Sequence, residues 1–303
     1  MTKKRKIKII AAVVCLVITV PLAGYLFSGR ETRGLVSYFL WKAFSGESGE
    51  GRYAEINGAR IYYEVHGSGR PLLLMHGGTA FIESLYNQVP ALAGEFMVIA
   101  PDSREHGRST GSSADLGYGL MAKDMCALLD GMGVKEVFVV GWSDGGIIGM
   151  DMAMTRPGLV KKLVTIGSNY RADGMTKSSI AKIRSMGPDD GDFADVKDYY
   201  RRIAPEPDRW PVFFNRVRTM WLTQPNYSAA DLGRIAAPTL VILGERDDIR
   251  RDHAEEMVRL IQNGKLAIIR DASHLVPLEK PEELNRMIID FLKTEALQDH
   301  AGK

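Results

Sequence analysis

The stretch that decides the fold is VFVVGWSDGGIIG, residues 137–149. Its first part is a continuous apolar run with β-branched residues, which is typical of a fully buried strand in a parallel sheet. The run breaks at GWSDG, residues 141–145, and apolar residues then recur with helical spacing. A G-x-S-x-G sequence between a strand and a helix predicts a strained turn that holds a serine hydroxyl above the sheet, at a helix N-terminus. We therefore expect Ser143 to be a nucleophile.

Strand and helix patterns alternate on either side of this turn. The chain is 303 residues long and 45% hydrophobic, which favours one large domain with a sizeable core. The predicted elements are a hairpin around Asn57-Gly58, strands at 71–75, 96–100, 160–166, 238–243 and 265–269, and helices at 83–93, 116–132 and 281–293. Alternation of this kind predicts an α/β fold with a mostly parallel central sheet and helices on both faces.

One long segment interrupts the alternation. Residues 169–233 separate two predicted strands by far more chain than a crossover needs, so we expect an inserted subdomain there. The segment is rich in aromatic residues and methionine, which favours a small core of its own over direct ligand contacts. Its position predicts that it lies over the carboxyl ends of the strands, where α/β sheets bind ligands.

The N-terminus differs from the rest of the chain. Basic residues at positions 3–6 precede nineteen uncharged residues, 9–27. As a helix, this stretch would span about 28 Å, close to the thickness of the hydrocarbon core of a bilayer. We expect an uncleaved transmembrane helix with a cytoplasmic N-terminus and an exported catalytic domain. The alternative is a signal peptide, which would leave a secreted or periplasmic protein, but the stretch is long and lacks an A-x-A cleavage site.

Three regions follow from these patterns. Residues 1–27 form the basic N-terminus and transmembrane anchor, and 28–52 form a juxtamembrane segment and linker that includes SGESGEG. Residues 53–303 form the catalytic domain with its insertion at 169–233.

Composition and motifs exclude several classes of function. The net charge is only +2 with both signs mixed, which does not indicate nucleic-acid binding. The sequence contains no P-loop, no correctly spaced G-x-G-x-x-G and no metal-ligand spacing of Cys or His, so we expect neither a cofactor nor a metal. Cys15 and Cys126 lie in different contexts, and we expect no disulfide.

A nucleophilic serine needs a general base, and six histidines are available. His274 lies in DASHLVPLE, residues 271–279, directly after the last predicted strand and before the last helix. His76 follows another strand beside two glycines and is typical of a loop that receives an oxyanion. The remaining histidines lie in other contexts. We therefore expect His274 to be the base.

The acid that orients the base should lie between Ser143 and His274 in the chain. GERDD, residues 244–248, follows a predicted strand at the appropriate edge of the sheet. Asp247 and Asp248 compete for this role, with Glu245 third, because neighbouring side chains of a turn point in different directions. The alternative is that all three are solvated turn residues, an ordinary use of acidic side chains.

Five motifs occur together in a fixed order: HGG (76–78), DSREHGRS (102–109), GWSDGG (141–146), GERD (244–247) and SH (273–274). This set resembles the α/β-hydrolase superfamily over about residues 53–296, and its serine turn is similar to that of small bacterial esterases and the valacyclovirase-like branch. The resemblance implies that Asp247 is the acid and that 169–233 is a helical cap. Glu105 departs from the pattern, because relatives commonly have Gly there, and this puts the conformation of that turn in doubt.

The resemblance and the residues together imply a serine hydrolase that uses no cofactor. Ser143 would attack the acyl carbonyl of a small ester, His274 would take its proton, and Asp247 would hold the imidazole. The backbone N–H groups of Asp144 and Gly78 would receive the oxyanion, and water would release the acid.

Alternatives remain at this stage. The same three residues serve in hydrolases of carbon–carbon, amide and lactone bonds, and the same fold also supports non-catalytic ligand receptors. The carboxylate of Asp144 either attracts an amine-bearing ester or packs away from the pocket.

Overall fold

A computed structural model describes residues 30–44, 51–111 and 115–294 of the chain. The chain divides into two units, Met1–Ser48 and Gly49–Lys303. The described part of the first unit is one helix, α1 (Arg30–Phe44). The region boundaries expected from composition, at residues 27 and 52, stay predictions.

The structure corrects the predicted fold class in one respect, the transmembrane helix. Within the described ranges, no helix is both long enough and apolar enough to cross a bilayer. Helix α1 has 15 residues and includes four charged side chains; it rises about 22 Å, whereas a hydrocarbon core is about 30 Å thick. The predicted span, 9–27, lies outside the described residues. The prediction of a membrane localisation with an exported catalytic domain depended on that span and is therefore not supported. The prediction of the membrane as a partner is not supported for the same reason.

The second unit is built on a sheet of eight strands within the described residues. The strands are β1 (Arg52–Ile56), β2 (Ala59–His66), β3 (Pro71–Met75), β4 (Met97–Pro101), β5 (Val137–Trp142), β6 (Val160–Ile166), β7 (Thr239–Arg246) and β8 (Gly264–Ser273). Their order in the sheet is β1-β2-β4-β3-β5-β6-β7-β8. Only the β1–β2 and β2–β4 pairings are antiparallel, so the prediction of a mostly parallel sheet is confirmed.

Helices connect these strands. They are α2 (Gln88–Ala93), α3 (Tyr118–Gly131), α4 (Asp144–Thr155), α5 (Lys177–Ser185), α6 (Ala194–Ile203), α7 (Trp210–Thr223), α8 (Ala229–Leu232), α9 (Arg251–Leu260), α10 (Val276–Glu279) and α11 (Pro281–Lys293). Helix α4 packs on α3 and on strands β5 and β6, whereas α2 packs against α11. Strand β5 is buried at every residue, as its uninterrupted apolar sequence predicts.

Helices α5 to α8 all lie between β6 and β7, and we call them the cap helices. Their aromatic side chains pack on one another. The ring of Tyr200 stacks on Phe213 at 5.1 Å between centroids, and Trp210 lies 5.6 Å from Phe214. The indole N–H of Trp210 donates to the carbonyl of Pro188 at 2.6 Å. Most of the aromatic residues of this segment therefore form a core within the cap.

A buried ion pair fixes the hairpin between β1 and β2 to the rest of the unit. Asn57 and Gly58 have φ values of 48° and 73°, as a tight hairpin turn requires. Arg104 makes two hydrogen bonds of 2.7 Å to the carboxylate of Asp124 on α3, and both side chains are fully buried. Arg104 also donates to the carbonyl of Asn57, whose amide donates to Asp124. One ion pair thus joins the hairpin, the loop after β4 and α3.

We expect Asp124→Asn to lower the free energy of unfolding by about 3–5 kcal/mol, because the Arg104 guanidinium stays buried without a carboxylate. Asp130→Asn is the matched control, since it breaks an exposed pair with Arg156 and should change stability by less than about 1 kcal/mol. Urea unfolding measures both. Equal losses in the two variants would contradict a special role for the buried pair.

Candidate active site

Ser143 lies between β5 and α4 in a backbone conformation that non-glycine residues rarely adopt, with φ 52° and ψ −116°. Such a conformation costs about 1–3 kcal/mol and persists only where the surroundings enforce it. A Cβ on Gly141 would lie 2.2 Å from the backbone of Gly145, and one on Gly145 would lie 2.5 Å from the carbonyl oxygen of Met75. Both glycines are therefore required for the turn, which holds the Ser143 hydroxyl at the start of α4.

The structure brings three of the predicted site residues together. The Nε2 atom of His274 lies 3.0 Å from the Ser143 hydroxyl oxygen, and its Nδ1 atom lies 2.8 Å from Oδ1 of Asp247. The Asp247 carboxylate is buried and accepts backbone N–H groups from Gly244 and Ile249, both at 3.1 Å. These bonds fix the carboxylate, so it can orient the imidazole.

The other two acidic candidates have different partners. Asp248 accepts the hydroxyl of Ser179, in the cap, at 2.6 Å. Glu245 accepts the backbone N–H of Asp271 at 3.0 Å. Of the three acidic candidates in the turn, Asp247 is the one that contacts the imidazole of His274.

The environment of His274 changes its pKa in two opposing ways. Burial lowers the pKa, but the hydrogen bond and the negative charge of Asp247 raise it more, and the charges of Asp248 and Asp144 add to this. The net result is a pKa above the ordinary value for histidine. A more basic imidazole is a stronger acceptor for the Ser143 proton, provided that the pH is high enough to keep the ring neutral.

Three other histidines are held neutral. Burial lowers the pKa of His76 to about 4, that of His106 to about 3 and that of His253 to about 4. The Nε2 atom of His76 accepts the backbone N–H of Ser103, so its Nδ1 carries the proton and donates to the Gly77 carbonyl at 2.7 Å. His76 therefore orders the glycine loop; that this loop receives an oxyanion stays a prediction.

The two residues expected to bind the oxyanion lie beside Ser143. Asp144 is the first residue of α4, where backbone N–H groups have no acceptor within the helix. A Cβ on Gly77 would lie 3.2 Å from Cβ of Ser143, so the glycine loop passes close to this serine. The Gly77 carbonyl accepts bonds from His76 and from the N–H of Ala80. In a trans peptide the N–H of Gly78 points the opposite way from the Gly77 carbonyl, so it points away from His76 and Ala80, which bind that carbonyl.

The Asp144 side chain is buried between α3 and the cap. It accepts the hydroxyl of Tyr118 at 2.9 Å, and the indole N–H of Trp221 lies 3.0 Å from both carboxylate oxygens. Burial raises the pKa of Asp144 to about 6, although both hydrogen bonds and the charge of His274 act to lower it. A carboxylate held by two neutral donors thus lies on the residue that follows Ser143.

Of four further residues near the site, Tyr118, Gly167 and Trp221 lie outside the sequence motifs, whereas Trp142 lies within GWSDGG, residues 141–146. The Trp142 indole donates to the His274 carbonyl at 3.0 Å, and a Cβ on Gly167 would lie 2.8 Å from Nδ1 of His274. Tyr118 and Trp221 hold Asp144, as described above. All four lie against residues far away in the chain, and Gly167 has a left-handed φ of 60°.

Glu105 adopts a left-handed conformation, with φ 67°, at the position where the resembled family commonly has glycine. The turn therefore keeps a glycine-like backbone despite the side chain. The carboxylate forms an ion pair of 2.5 Å with Arg216 on α7. We interpret this contact as the compensation for the backbone strain, and it ties the cap to the loop after β4.

Groups of three or more His, Cys, Asp or Glu that could hold a metal ion do not occur among the residues that the structure describes. The site consists of the Ser143 hydroxyl, the His274 imidazole and the Asp247 carboxylate, which follow the carboxyl ends of β5, β8 and β7, respectively.

Comparison with known proteins identifies the fold. The model of the alpha/beta hydrolase family matches residues 65–287, almost three quarters of the chain. The chain belongs to the α/β hydrolase family. It is therefore an enzyme of the hydrolase class, and the predicted resemblance is confirmed.

Individual relatives agree with this family. The chain is 27% identical to the human serine hydrolase BPHL over 256 residues, which cover 78% of this chain and 84% of that protein. Among solved structures, Est816, an N-acyl homoserine lactone degrading enzyme, is 26% identical with a TM-score of 0.66 and covers 79% of this chain and 100% of its own. The carboxylesterase CesB from Bacillus subtilis shares the fold at a TM-score of 0.67 and 20% identity, covering 87% and 98%.

We expect Gly167→Ala to lower kcat of this α/β hydrolase about 100-fold, because His274 is the expected base and a displacement of about 1 Å in a base has effects of this size. The new Cβ would press on Nδ1 of His274 and lie 3.3 Å from Asp247. Gly133→Ala is the matched control, because Gly133 has a similar φ of 73° and no neighbour within 4 Å of its added Cβ. Turnover of p-nitrophenyl acetate measures the effect. If both variants keep the wild-type kcat, Gly167 does not constrain the His274–Asp247 pair.

Proposed function

We propose that this chain is a serine hydrolase that cleaves small carboxylic esters through an acyl-enzyme. Ser143 is the nucleophile, His274 the general base and Asp247 the acid that orients it. The observation that carries the proposal is the 3.0 Å separation between the Ser143 hydroxyl and Nε2 of His274, with Asp247 on the opposite ring nitrogen. This geometry lets one imidazole accept the hydroxyl proton while its other nitrogen stays bound to a fixed carboxylate.

The first half of the reaction forms the acyl-enzyme. The Ser143 oxygen attacks the ester carbonyl carbon, and its proton passes to Nε2 of His274. The carbonyl π electrons move to oxygen, and the N–H groups of Gly78 and Asp144 bind that oxyanion, each donor contributing about 3 kcal/mol to the transition state. The carbonyl then re-forms as the alcohol leaves with the proton from His274.

The second half consumes water. His274, neutral again, takes a proton from a water molecule that attacks the acyl carbon. The oxyanion forms a second time at the same N–H groups, and its collapse breaks the bond to Ser143. The Ser143 oxygen regains the proton from His274, and the carboxylic acid is released. The partners required are a small-molecule acyl substrate and water.

Lactone hydrolysis is a second candidate, favoured by the likeness to Est816, an N-acyl homoserine lactone degrading enzyme. A lactone is a cyclic ester, so the acylation step is the same and the leaving alcohol stays attached to the acyl group. Values of kcat/KM on a p-nitrophenyl ester chain-length series and on a matched series of lactones separate the two candidates.

A fluorophosphonate probe tests the nucleophile. We expect the wild-type chain to be labelled and Ser143→Ala to lose both the label and all ester hydrolysis, because the hydroxyl is the group that attacks phosphorus and carbon alike. Ser185→Ala, which changes an exposed serine of the cap, should keep both. Labelling that persists in Ser143→Ala would contradict the proposal.

The pH dependence of kcat/KM tests the roles of His274 and Asp247. Activity requires a neutral imidazole, so it falls on the acid side as the pH drops through the raised pKa of His274. Asp247→Asn removes the charge that raises this pKa, so the residual activity should have its acid limb at lower pH, with kcat reduced about 10⁴-fold.

Asp248→Asn is the control for this experiment. Its charge also raises the pKa of His274, but its carboxylate bonds to Ser179 and not to the imidazole. We therefore expect a smaller downward shift of the acid limb and a kcat near the wild-type value. A large loss of kcat in Asp248→Asn with little loss in Asp247→Asn would reverse the assignment of the acid.

A further inference from the structure

A single side chain of the cap contacts both residues that we assign to the oxyanion hole. The indole N–H of Trp221, on α7, lies 3.0 Å from each carboxylate oxygen of Asp144. A Cβ on Gly78 would lie 2.6 Å from Cζ2 and 2.7 Å from Nε1 of Trp221. The indole therefore packs directly against the Gly78 backbone while it binds the Asp144 side chain.

The contact with Gly78 leaves little freedom on either side. The same added Cβ would lie 2.4 Å from Oδ2 of Asp144, so Gly78, Asp144 and Trp221 meet at one point. A larger residue at position 78 would displace either the indole or the carboxylate. The glycine that supplies one oxyanion donor is thus also the place where the cap closes on the core of the domain.

The end of α7 that carries Trp221 is fixed to the core by a second set of contacts. The side-chain oxygen of Gln224, the residue after α7, accepts the backbone N–H of Tyr118 at 3.4 Å, at the start of α3. The hydroxyl of Tyr118 in turn donates to Asp144. Asp144 is therefore held from the core by Tyr118 and from the cap by Trp221.

The opposite half of α7 reaches the glycine loop by a separate route. The ring of Phe213 packs edge-on against His106 at 4.7 Å, and His106 lies 5.1 Å from His76. His76 donates to the carbonyl of Gly77. Both ends of one cap helix are thus linked, through packed side chains, to the Gly77–Gly78 peptide group, which carries the Gly78 N–H.

We propose that Trp221 is a positioning residue through which the cap helix α7 sets the geometry of the oxyanion hole. The inference rests on the proposed function, because it takes the N–H groups of Gly78 and Asp144 as the oxyanion donors. Trp221 binds the Asp144 side chain and covers the Gly78 backbone, so a shift of α7 moves both donors together. Catalytic competence then requires a docked cap.

The test compares two identical substitutions on one helix. Trp221→Phe removes the N–H that binds Asp144 and part of the surface over Gly78. Trp210→Phe makes the same change at the other end of α7, where the lost N–H is bound to Pro188 within the cap. Kinetics are measured on the full-length chain with a p-nitrophenyl ester, at a temperature at which thermal unfolding shows both variants to be folded.

We expect Trp221→Phe to lower kcat about tenfold or more with KM nearly unchanged, since loss of one oxyanion donor lowers kcat about 10²–10³-fold and misplacement should cost part of that. Trp210→Phe should keep the wild-type kcat. Tyr118→Phe removes one of the donors to Asp144 but leaves the indole over Gly78, so its loss of kcat should be smaller than that of Trp221→Phe.

Inhibition by a trifluoromethyl ketone gives a readout that a purely structural role would not change. The Ser143 oxygen adds to the ketone carbon, its proton passes to His274, and the carbonyl electrons become an alkoxide in the oxyanion hole. The inhibition constant should rise in Trp221→Phe by about the same factor as kcat falls, because transition-state analogues report the same interactions. It should not change in Trp210→Phe.

Several outcomes would overturn the inference: an unchanged kcat in Trp221→Phe, equal losses in the two tryptophan variants, a change in KM alone, or a loss in Tyr118→Phe that equals that of Trp221→Phe. Failure of the proposed function has a different signature. In that case the wild-type chain itself would neither be labelled by the fluorophosphonate nor hydrolyse the ester.

Discussion

The left-handed backbone of Ser143 is the constraint on which the rest of the structure depends. A strand that is buried along its whole length ends there, and a helix starts at the next residue, so the half-buried serine lies at the helix N-terminus, where backbone N–H groups have no acceptor within the helix. The turn is possible because Gly141 and Gly145 let two backbones approach more closely than any Cβ permits. The surrounding sheet supplies the free energy that holds the strained residue in place.

Electrostatics divide the two carboxylates of the site between different roles. Asp247 is buried but accepts two backbone N–H groups and faces His274, so its charge is used to raise the pKa of the imidazole. Asp144 is bound by a phenol and an indole, without a cationic side chain among those hydrogen-bond donors, and burial raises its pKa to about 6. Asp247 thus contacts the imidazole of His274, whereas Asp144 contacts a neutral donor of α3 and one of the cap.

The cap has an aromatic core, and it contacts the main domain through ring packing as well as through polar contacts. Helix α7 carries both Arg216, which pairs with Glu105, and Trp221, which binds Asp144. Glu105 shows how a departure from the family pattern is accommodated: the residue keeps a left-handed backbone where glycine is usual, and its carboxylate finds a cation on the cap. Cap residues therefore contribute directly to the surroundings of Ser143, through the Trp221–Asp144 contact, and to the loop after β4, through the Arg216–Glu105 ion pair.

The sequence by itself determined the features that depend on near neighbours. These local patterns are the buried run and the glycines around Ser143, the hairpin at Asn57-Gly58 and the position of His274 after the last strand. The structure contains the strand, the turn and the hairpin where the patterns predict them, and His274 follows β8 directly. One local pattern gave a wrong prediction. The apolar length of residues 9–27 predicts a transmembrane helix, but no helix among the described residues has the length and the apolar character that crossing a membrane requires. The residues of the turn left Asp247, Asp248 and Glu245 open, and the family resemblance implied Asp247. The tertiary structure places the Asp247 carboxylate against the His274 imidazole, since the direction of each side chain depends on how the turn after β7 meets the loop after β8. Tyr118, Gly167 and Trp221 likewise lie against residues far away in the chain. Hydrophobic periodicity and motif spacing carry information about short segments of backbone. These contacts form only when the sheet and the cap pack together, so the sequence patterns do not predict them.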